Sequence, residues 1–160
     1  MTRAAFKYRG SLPALVHAFK YRGLAGAGRA LGDWMAGAWR RHPELGRPDA
    51  LVPVPLHPKR LAERGFNQAR LLAERLAPAA GAPVRDILRR LKNTPPQARR
   101  ARDARGGRLG GAFEANPEAA GARVVLIDDV MTSGETLAAC AQALKEAGAA
   151  DVRAFVLTRP

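Results

Sequence analysis

Val124-Val125-Leu126-Ile127-Asp128-Asp129-Val130-Met131-Thr132-Ser133-Gly134-Glu135-Thr136 joins an apolar run to two carboxylates and then to a short polar turn. The apolar residues are mostly β-branched and do not alternate with polar ones, as in a strand covered on both faces in a parallel sheet. Asp128 and Asp129 end that run. From Val130 through Met131, Thr132, Ser133 and Gly134 the side chains are small or polar, and an amphipathic helix follows whose first N–H groups face the turn. Free amides and the positive end of the helix dipole favour a dianion there, and Thr132, Ser133 and Thr136 add hydroxyl donors. Gly134 lets the backbone approach such an anion more closely than a Cβ allows. Carboxylates repel phosphate, so Asp128 and Asp129 are expected to serve another partner. On opposite sides of the strand end they suit the vicinal hydroxyls of a sugar, or an Mg²⁺ held indirectly through water. A phosphate cradle beside diol-binding acids reads as a ribose 5-phosphate site.

A second reading is structural, because Thr132 followed by Glu135 is also a capping box that starts a helix. Capping leaves the acids unexplained, since two adjacent carboxylates at the end of a buried strand need a compensating cation or donor. The stretch resembles the thirteen-residue phosphoribosyl-pyrophosphate (PRPP) motif of type I phosphoribosyltransferases, matching it at every class position. Other nucleotide motifs fit worse. No G-x-x-x-x-G-K-[ST] occurs, and Gly26 to Gly32 misses G-x-G-x-x-G by one residue and follows no expected strand.

A chain of 160 residues, 47% hydrophobic and only 6% aromatic, has the size of one α/β domain with a core of Leu, Val and Ala. Its one cysteine, Cys140, excludes an internal disulfide and a cysteine-rich zinc site, and falls on the apolar stripe Leu137, Cys140, Leu144, Ala147. No apolar run approaches the length of a membrane span and Met1 to Gly10 has no signal-like apolar segment, so no membrane insertion and a cytoplasmic location are expected. Charge is the other strong signal: 27 Lys and Arg against 14 Asp and Glu give +13, which points to a polyanionic partner. Arg89 to Gly111 holds seven Arg and one Lys against Asp103 alone, a net of +7. Arg99, Arg100, Arg102 and Arg105 are its candidate nucleic-acid contacts. Such a run is also what a solvated loop looks like, and the excess of Arg over Lys fits both bidentate phosphate recognition and GC-rich codon usage.

Along the chain, Leu12 to Tyr21 and Leu24 to Trp39 read as helices, making 1–45 an N-terminal helical part. Lys7-Tyr8-Arg9-Gly10 recurs as Lys20-Tyr21-Arg22-Gly23, read as cationic helix ends near glycine. Strands are expected at Ala50–Pro55, Val84–Leu88, Val124–Asp128 and Val152–Leu157, with helices over Asn67–Ala77, Asn67 as N-cap, and Glu135–Ala147. The alternation predicts an open, mainly parallel α/β sheet flanked by helices, with ligands at the carboxyl ends of its strands. Lys59 and Arg60 emerge at that edge after the first strand and suit a pyrophosphate, with Arg64 nearby; His57 reads as a turn residue. The basic segment 89–111 is expected to be a flexible loop.

Pro53 to Ala69 (P-V-P-L-H-P-K-R-L-A-E-R-G-F-N-Q-A), the K-Y-R-G elements, Arg90-x-x-x-Thr94-x-x-Gln97, Arg105 to Phe113 and Leu157-Thr158-Arg159, together with the PRPP motif, are similar to the ComF family of competence proteins. The resemblance covers nearly the whole chain. It departs at Arg108, where many members have asparagine, and no counterpart of the four-cysteine zinc module with which many members begin is found here. The resemblance implies a single type I phosphoribosyltransferase-like domain over 1–160 and a role in moving incoming single-stranded DNA on the cytoplasmic side, with other competence proteins as further partners. It also implies attack on C1 of PRPP with loss of pyrophosphate. Asp128 and Asp129 would be the catalytic pair at the ribose hydroxyls, Val130 to Thr136 would hold the 5-phosphate, and Lys59 and Arg60 the pyrophosphate. Mg²⁺ would be carried by PRPP near the acids, not chelated directly.

Two classes of function follow. One is a DNA-uptake factor that binds phosphoribosyl groups and tracks single-stranded DNA through its basic segment; the other is a working phosphoribosyltransferase of nucleotide metabolism. The overall charge favours the first and the intact motif the second, while a PRPP sensor without turnover is a third, weaker reading. No residues that would read an acceptor base are evident.

Overall fold

The computed structural model describes residues 1–21, 25–92 and 111–160. Its organising element is β5 (Arg123–Val130), which pairs in parallel with β2 (Ala50–Pro53) on one side and β6 (Asp151–Arg159) on the other. β1 (Thr2–Lys7) closes the sheet beside β6, also in parallel, giving the order β1-β6-β5-β2. Both faces are covered. Val124 and Leu126 pack with Val52, Val156 and the buried side of α5 (Glu135–Glu146), formed by Leu137, Cys140, Ala143 and Leu144. Val125 and Ile127 pack on the other side with α1 (Leu12–Tyr21), α2 (Ala25–Trp39) and α4 (Gln68–Ala80), through residues such as Phe19, Met35 and Leu72. Each fully buried Leu, Ile or Val contributes about 1.5–3 kcal/mol, so a strand buried on both faces is a strong anchor for whatever follows it. The result is the expected parallel α/β domain.

Two strand assignments are corrected. The chain has a strand before the first helix, β1, which Thr-Arg-Ala-Ala-Phe-Lys does not advertise: two alanines and two cations carry little strand preference, and backbone pairing to β6 supplies the order. Val84 to Leu88 is not a strand of the main sheet. Val84 forms a single parallel bridge to Leu51, after which the exposed Arg85 and Asp86 carry the chain off the sheet edge. Leu88 then starts a short strand β3 (Leu88–Arg90) that pairs antiparallel with β4 (Phe113–Ala115). This ribbon brackets residues 93–110, which lie outside the described residues, and its buried Leu88 and Phe113 pack onto the α5 side of the sheet.

Of the remaining helices, α4 (Gln68–Ala80) is close to expectation, whereas the segment of Lys59 and Arg60, expected as a loop, is helical. α4 starts at Gln68, with Asn67 as N-cap accepting from the Ala69 amide at 3.0 Å; Asn67 Nδ2 also donates to Val54 O at 3.1 Å and so ties the helix to the end of β2. Lys59 and Arg60 lie in a short helix, α3 (Pro58–Arg64), whose N-cap is His57, with Nδ1 3.2 Å from the Lys59 amide. Among the described residues no helix is long and apolar enough to cross a membrane.

The glycine run from Gly26 to Gly32 is part of α2 and its use is packing. A Cβ on Gly28 would stand 2.3 Å from Leu71 Cδ2, and one on Gly32 would stand 2.6 Å from Arg75 Cβ, so these two glycines let α2 lie close against α4. Alanine in a helix interior normally gains about 1 kcal/mol over glycine. At Gly32 overpacking, worth about 1–3 kcal/mol, opposes that gain. Gly32→Ala is expected to lower the urea midpoint, whereas Gly37→Ala in the same helix, with nothing within 4 Å of the added Cβ, is expected to raise it.

Candidate functional site

β2 and β5 run parallel, so the segments that follow them leave the sheet at one edge. That edge gathers Asp128, Asp129, the loop from Val130 to Gly134, and α3 with Lys59 and Arg60. The loop is pinned at both ends: the Met131 amide donates to Thr158 O at 3.0 Å, and the Ala138 amide donates to Gly134 O at 2.9 Å in the first turn of α5. Glu135 is the first residue of α5 and Gly134 its N-cap, so Thr132 is two positions ahead of the cap and the Thr132–Glu135 capping box is not the arrangement adopted. Gly134 sits at φ +79°, where a side chain would be strained, and nothing lies closer than 3.8 Å to the Cβ it lacks. Its backbone conformation, more than steric clearance, demands glycine there. Asp128, Val130, Met131, Thr132, Gly134, Thr136 and Leu137 line a small cavity of about 30 Å³, with the Glu135 amide 3.4 Å from Ser133 Oγ at its rim. Thr132, Ser133 and Glu135 are exposed, so their polar groups are accessible from solvent.

The two acids have opposite surroundings. Strand alternation sends Asp128 to the α5 side and Asp129 to the α1 side. Asp129 is buried, and its Oδ1 lies 3.1 Å from Lys20 Nζ in the last turn of α1. Asp128 is half-buried and its Oδ1 accepts the Asp129 amide at 2.8 Å. Burial, and after it the Asp129 charge, push the Asp128 carboxyl up to about 7, against the pull of Lys20, the Asp129 amide and Arg90. The compensating cation that the adjacent acids require is therefore in the chain itself. Removing one partner of a fully buried pair costs about 3–5 kcal/mol; Lys20, with its side chain 23% exposed, belongs below that range.

Sequence reading missed two residues here. Lys20 lies in a K-Y-R-G element read as a helix end; the repeat was visible, but only the docking of α1 beside β5 brings the ammonium to Asp129. Arg90 stood out as part of a basic run and of the Arg90-x-x-x-Thr94-x-x-Gln97 element, with no role beside the acids. In β3 its guanidinium carbon lies 5.3 Å from the Phe113 ring centroid, a cation–π contact that steadies a charge felt by Asp128. Lys59 is exposed and Arg60 half-buried, and neither makes an ion pair among the described residues. Arg64 donates to Gln68 Oε1 at 3.1 Å; Gln68 is buried, and its Nε2 has no partner among the described residues. Arg99, Arg100, Arg102 and Arg105 lie outside the described residues. Cys140 is core, its thiol pushed up by burial.

Among the described residues no three His, Cys, Asp or Glu side chains are placed to hold a metal ion. Asp128 and Asp129 diverge, and Lys20 engages Asp129, so the acids do not converge on one Mg²⁺. A groove of about 600 Å³ also opens along α3 and α4, walled by Leu56, Leu61, Phe66, Leu71 and Leu88. Arg70 at its rim is tied to Glu74 and Asp86.

A profile of the phosphoribosyl transferase domain matches residues 61–160. Competence protein F of Haemophilus influenzae is 32% identical over 155 residues, covering 92% of this chain and 68% of that protein. The chain belongs to the ComF family. Competence protein ComFC of Bacillus subtilis is 34% identical to this ComF-family chain over 160 residues, covering 98% of it and 63% of the relative. The chain thus spans about two thirds of the length of these two relatives. Among solved structures, the glutamine PRPP amidotransferase of Bacillus subtilis is 24% identical with a TM-score of 0.54, covering 82% of this chain and 26% of that one, which shows a shared fold.

The raised carboxyl of Asp128 gives the ComF-family chain a distinctive pH dependence. Between about 4 and about 7 the folded protein keeps a proton that the unfolded chain has released, so stability falls as pH rises through that window. Glu44, held down to about 2 by the Arg3 hydrogen bond, and Asp49, held down to about 2 by Arg123, act oppositely. Their contribution is present above the usual carboxylate range and is lost as pH falls toward 2. Urea midpoints at pH 4 to 8 are expected to show a downward slope that Asp128→Asn flattens; equal slopes in both proteins would contradict the assignment.

Proposed function

We propose that this chain binds phosphoribosyl groups at the β5–α5 junction and uses that fold in handling single-stranded DNA during natural competence. The observation that carries the first half is the junction itself: a pinned strand–loop–helix with two oppositely placed acids, sharing one sheet edge with Lys59 and Arg60, which make no ion pair among the described residues. In this reading the loop from Val130 to Thr136 takes the 5-phosphate, Asp128 and Asp129 take the ribose hydroxyls, and Lys59 and Arg60 take the pyrophosphate of PRPP. Mg²⁺ comes with the pyrophosphate, since the acids do not form a chelate of their own. The competence role is supported by the named relatives and by the charge of +13, because a small anionic substrate needs a local basic site and not a basic protein. Arg99, Arg100, Arg102 and Arg105 would contact the nucleic acid backbone, and the protein would act in the cytoplasm with other competence proteins.

A second reading, a working phosphoribosyltransferase, is favoured by the complete motif. Its chemistry would rest on orienting PRPP and stabilising charge as pyrophosphate leaves C1.

Three measurements separate these parts. Mg²⁺ with PRPP is expected to raise the melting temperature, and Asp128→Asn combined with Asp129→Asn to abolish the rise; no rise in the parent protein removes the site. Affinity for single-stranded DNA is expected to fall steeply with salt, and replacing the four arginines by alanine to lower the log–log slope by up to about 3. An unchanged slope excludes those arginines as contacts. Pyrophosphate release from PRPP with any member of a panel of bases would favour the enzyme, and silence across the panel would leave binding as the function.

A further inference from the structure

The acids at the end of β5 lack a geometry for Mg²⁺ but already have a cation. Lys20 Nζ is 3.1 Å from Asp129 Oδ1, and the pair is largely enclosed, with side-chain exposures of 23% and 9%. Lys20 is well anchored. It follows the fully buried Phe19, whose ring centroid is 5.7 Å from that of Phe66 and which packs with Val16 and Leu12 against the sheet. Its place in the last turn of α1 also favours a positive charge. On the other face of β5, Asp128 accepts the Asp129 amide and feels Arg90. Lys20 is thus the direct partner of Asp129 and also pulls on Asp128, which has in addition a backbone amide and the more distant Arg90 guanidinium.

We propose that Lys20 is the resident cation of the sugar site, neutralising and orienting Asp129 so that the chain takes up a ribose 5-phosphate group without a divalent metal. This rests on the phosphoribosyl reading above and adds a division of labour to it. The sugar and its 5-phosphate meet a site already compensated by the protein; magnesium is needed only for the pyrophosphate of the complete ligand. The electrostatic reason is direct. A dianionic phosphate entering beside two uncompensated carboxylates is repelled by both, whereas Lys20 cancels the charge of one. Lys20 is a positioning residue here, acting through Asp129.

The test is calorimetric titration with ribose 5-phosphate, in EDTA and again in Mg²⁺, on the full chain and its variants. The parent is expected to bind equally well in both buffers. Lys20→Met is expected to bind at least about tenfold more weakly in EDTA, the scale of a lost enclosed charge contact. Lys20→Arg is expected to stay within about threefold of the parent. Adding Lys20→Met to Asp129→Asn is expected to cost less than about twofold, because the lysine acts through that carboxylate. A parent that binds ribose 5-phosphate only with Mg²⁺, or a Lys20→Met protein that matches the parent in EDTA, overturns the role of Lys20 while leaving the phosphoribosyl site standing. A parent that binds neither ribose 5-phosphate nor Mg²⁺ with PRPP overturns both. Should Lys20→Met not fold, the comparison of buffers for the parent and Lys20→Arg still decides.

Discussion

Strand β5 is hydrogen-bonded along both sides and covered on both faces, and it must nevertheless end in two ionisable residues. Its length is set by parallel pairing with β2 and β6, and its apolar run stops only where the sheet meets solvent. That constraint places Asp128 and Asp129 in a region too dry for two free charges and too close to the edge to be core. Much of what surrounds the site answers this problem. α1 brings Lys20, the β3–β4 ribbon brings Arg90, and the backbone turns one amide onto Asp128.

The opposite edge of the sheet shows what ordinary structural charge looks like. Asp49 is gripped by Arg123 through both carboxylate oxygens, and Glu44 by Arg3 with His42 alongside. Both acids are held low by hydrogen bonds from cations at the start of the sheet. Asp128 departs in the other direction because burial outweighs its partners. A carboxyl raised at the carboxyl-terminal edge, with acids paired to cations at the far edge, is the kind of asymmetry that marks a candidate site. The loop that follows is positioned by β6 through Thr158, so the strand next to β5 also sets where an anion would sit.

Legibility followed the range of the interactions. The strand, loop and helix around Val124–Thr136 were readable because local rules govern them: an unbroken apolar run, small turn residues, a helix with one apolar stripe. Asn67 as a cap and Cys140 as core were readable for the same reason. β1 was not, because its order comes from pairing with residues about 150 positions away and not from its own composition. Nor was the β3–β4 ribbon, whose strands are separated by 22 residues and joined by no tight-turn signal. The glycines of α2 suggested a nucleotide loop that failed its pattern; only the approach of α4 reveals that Gly28 and Gly32 make room for a neighbour.

By itself the sequence determined a parallel α/β domain, a strand–loop–helix junction behind two acids, and a strongly basic chain, since each depends on residue type and near-neighbour spacing. Only the tertiary structure decided how the acids are kept. Asp129 is answered by a lysine 109 positions earlier and Asp128 is left raised and half-buried, an assignment set by which face of β5 each side chain leaves and by the helix that covers it. Charge compensation in a buried site acts over a few ångströms in space, and distance along the chain carries no record of it.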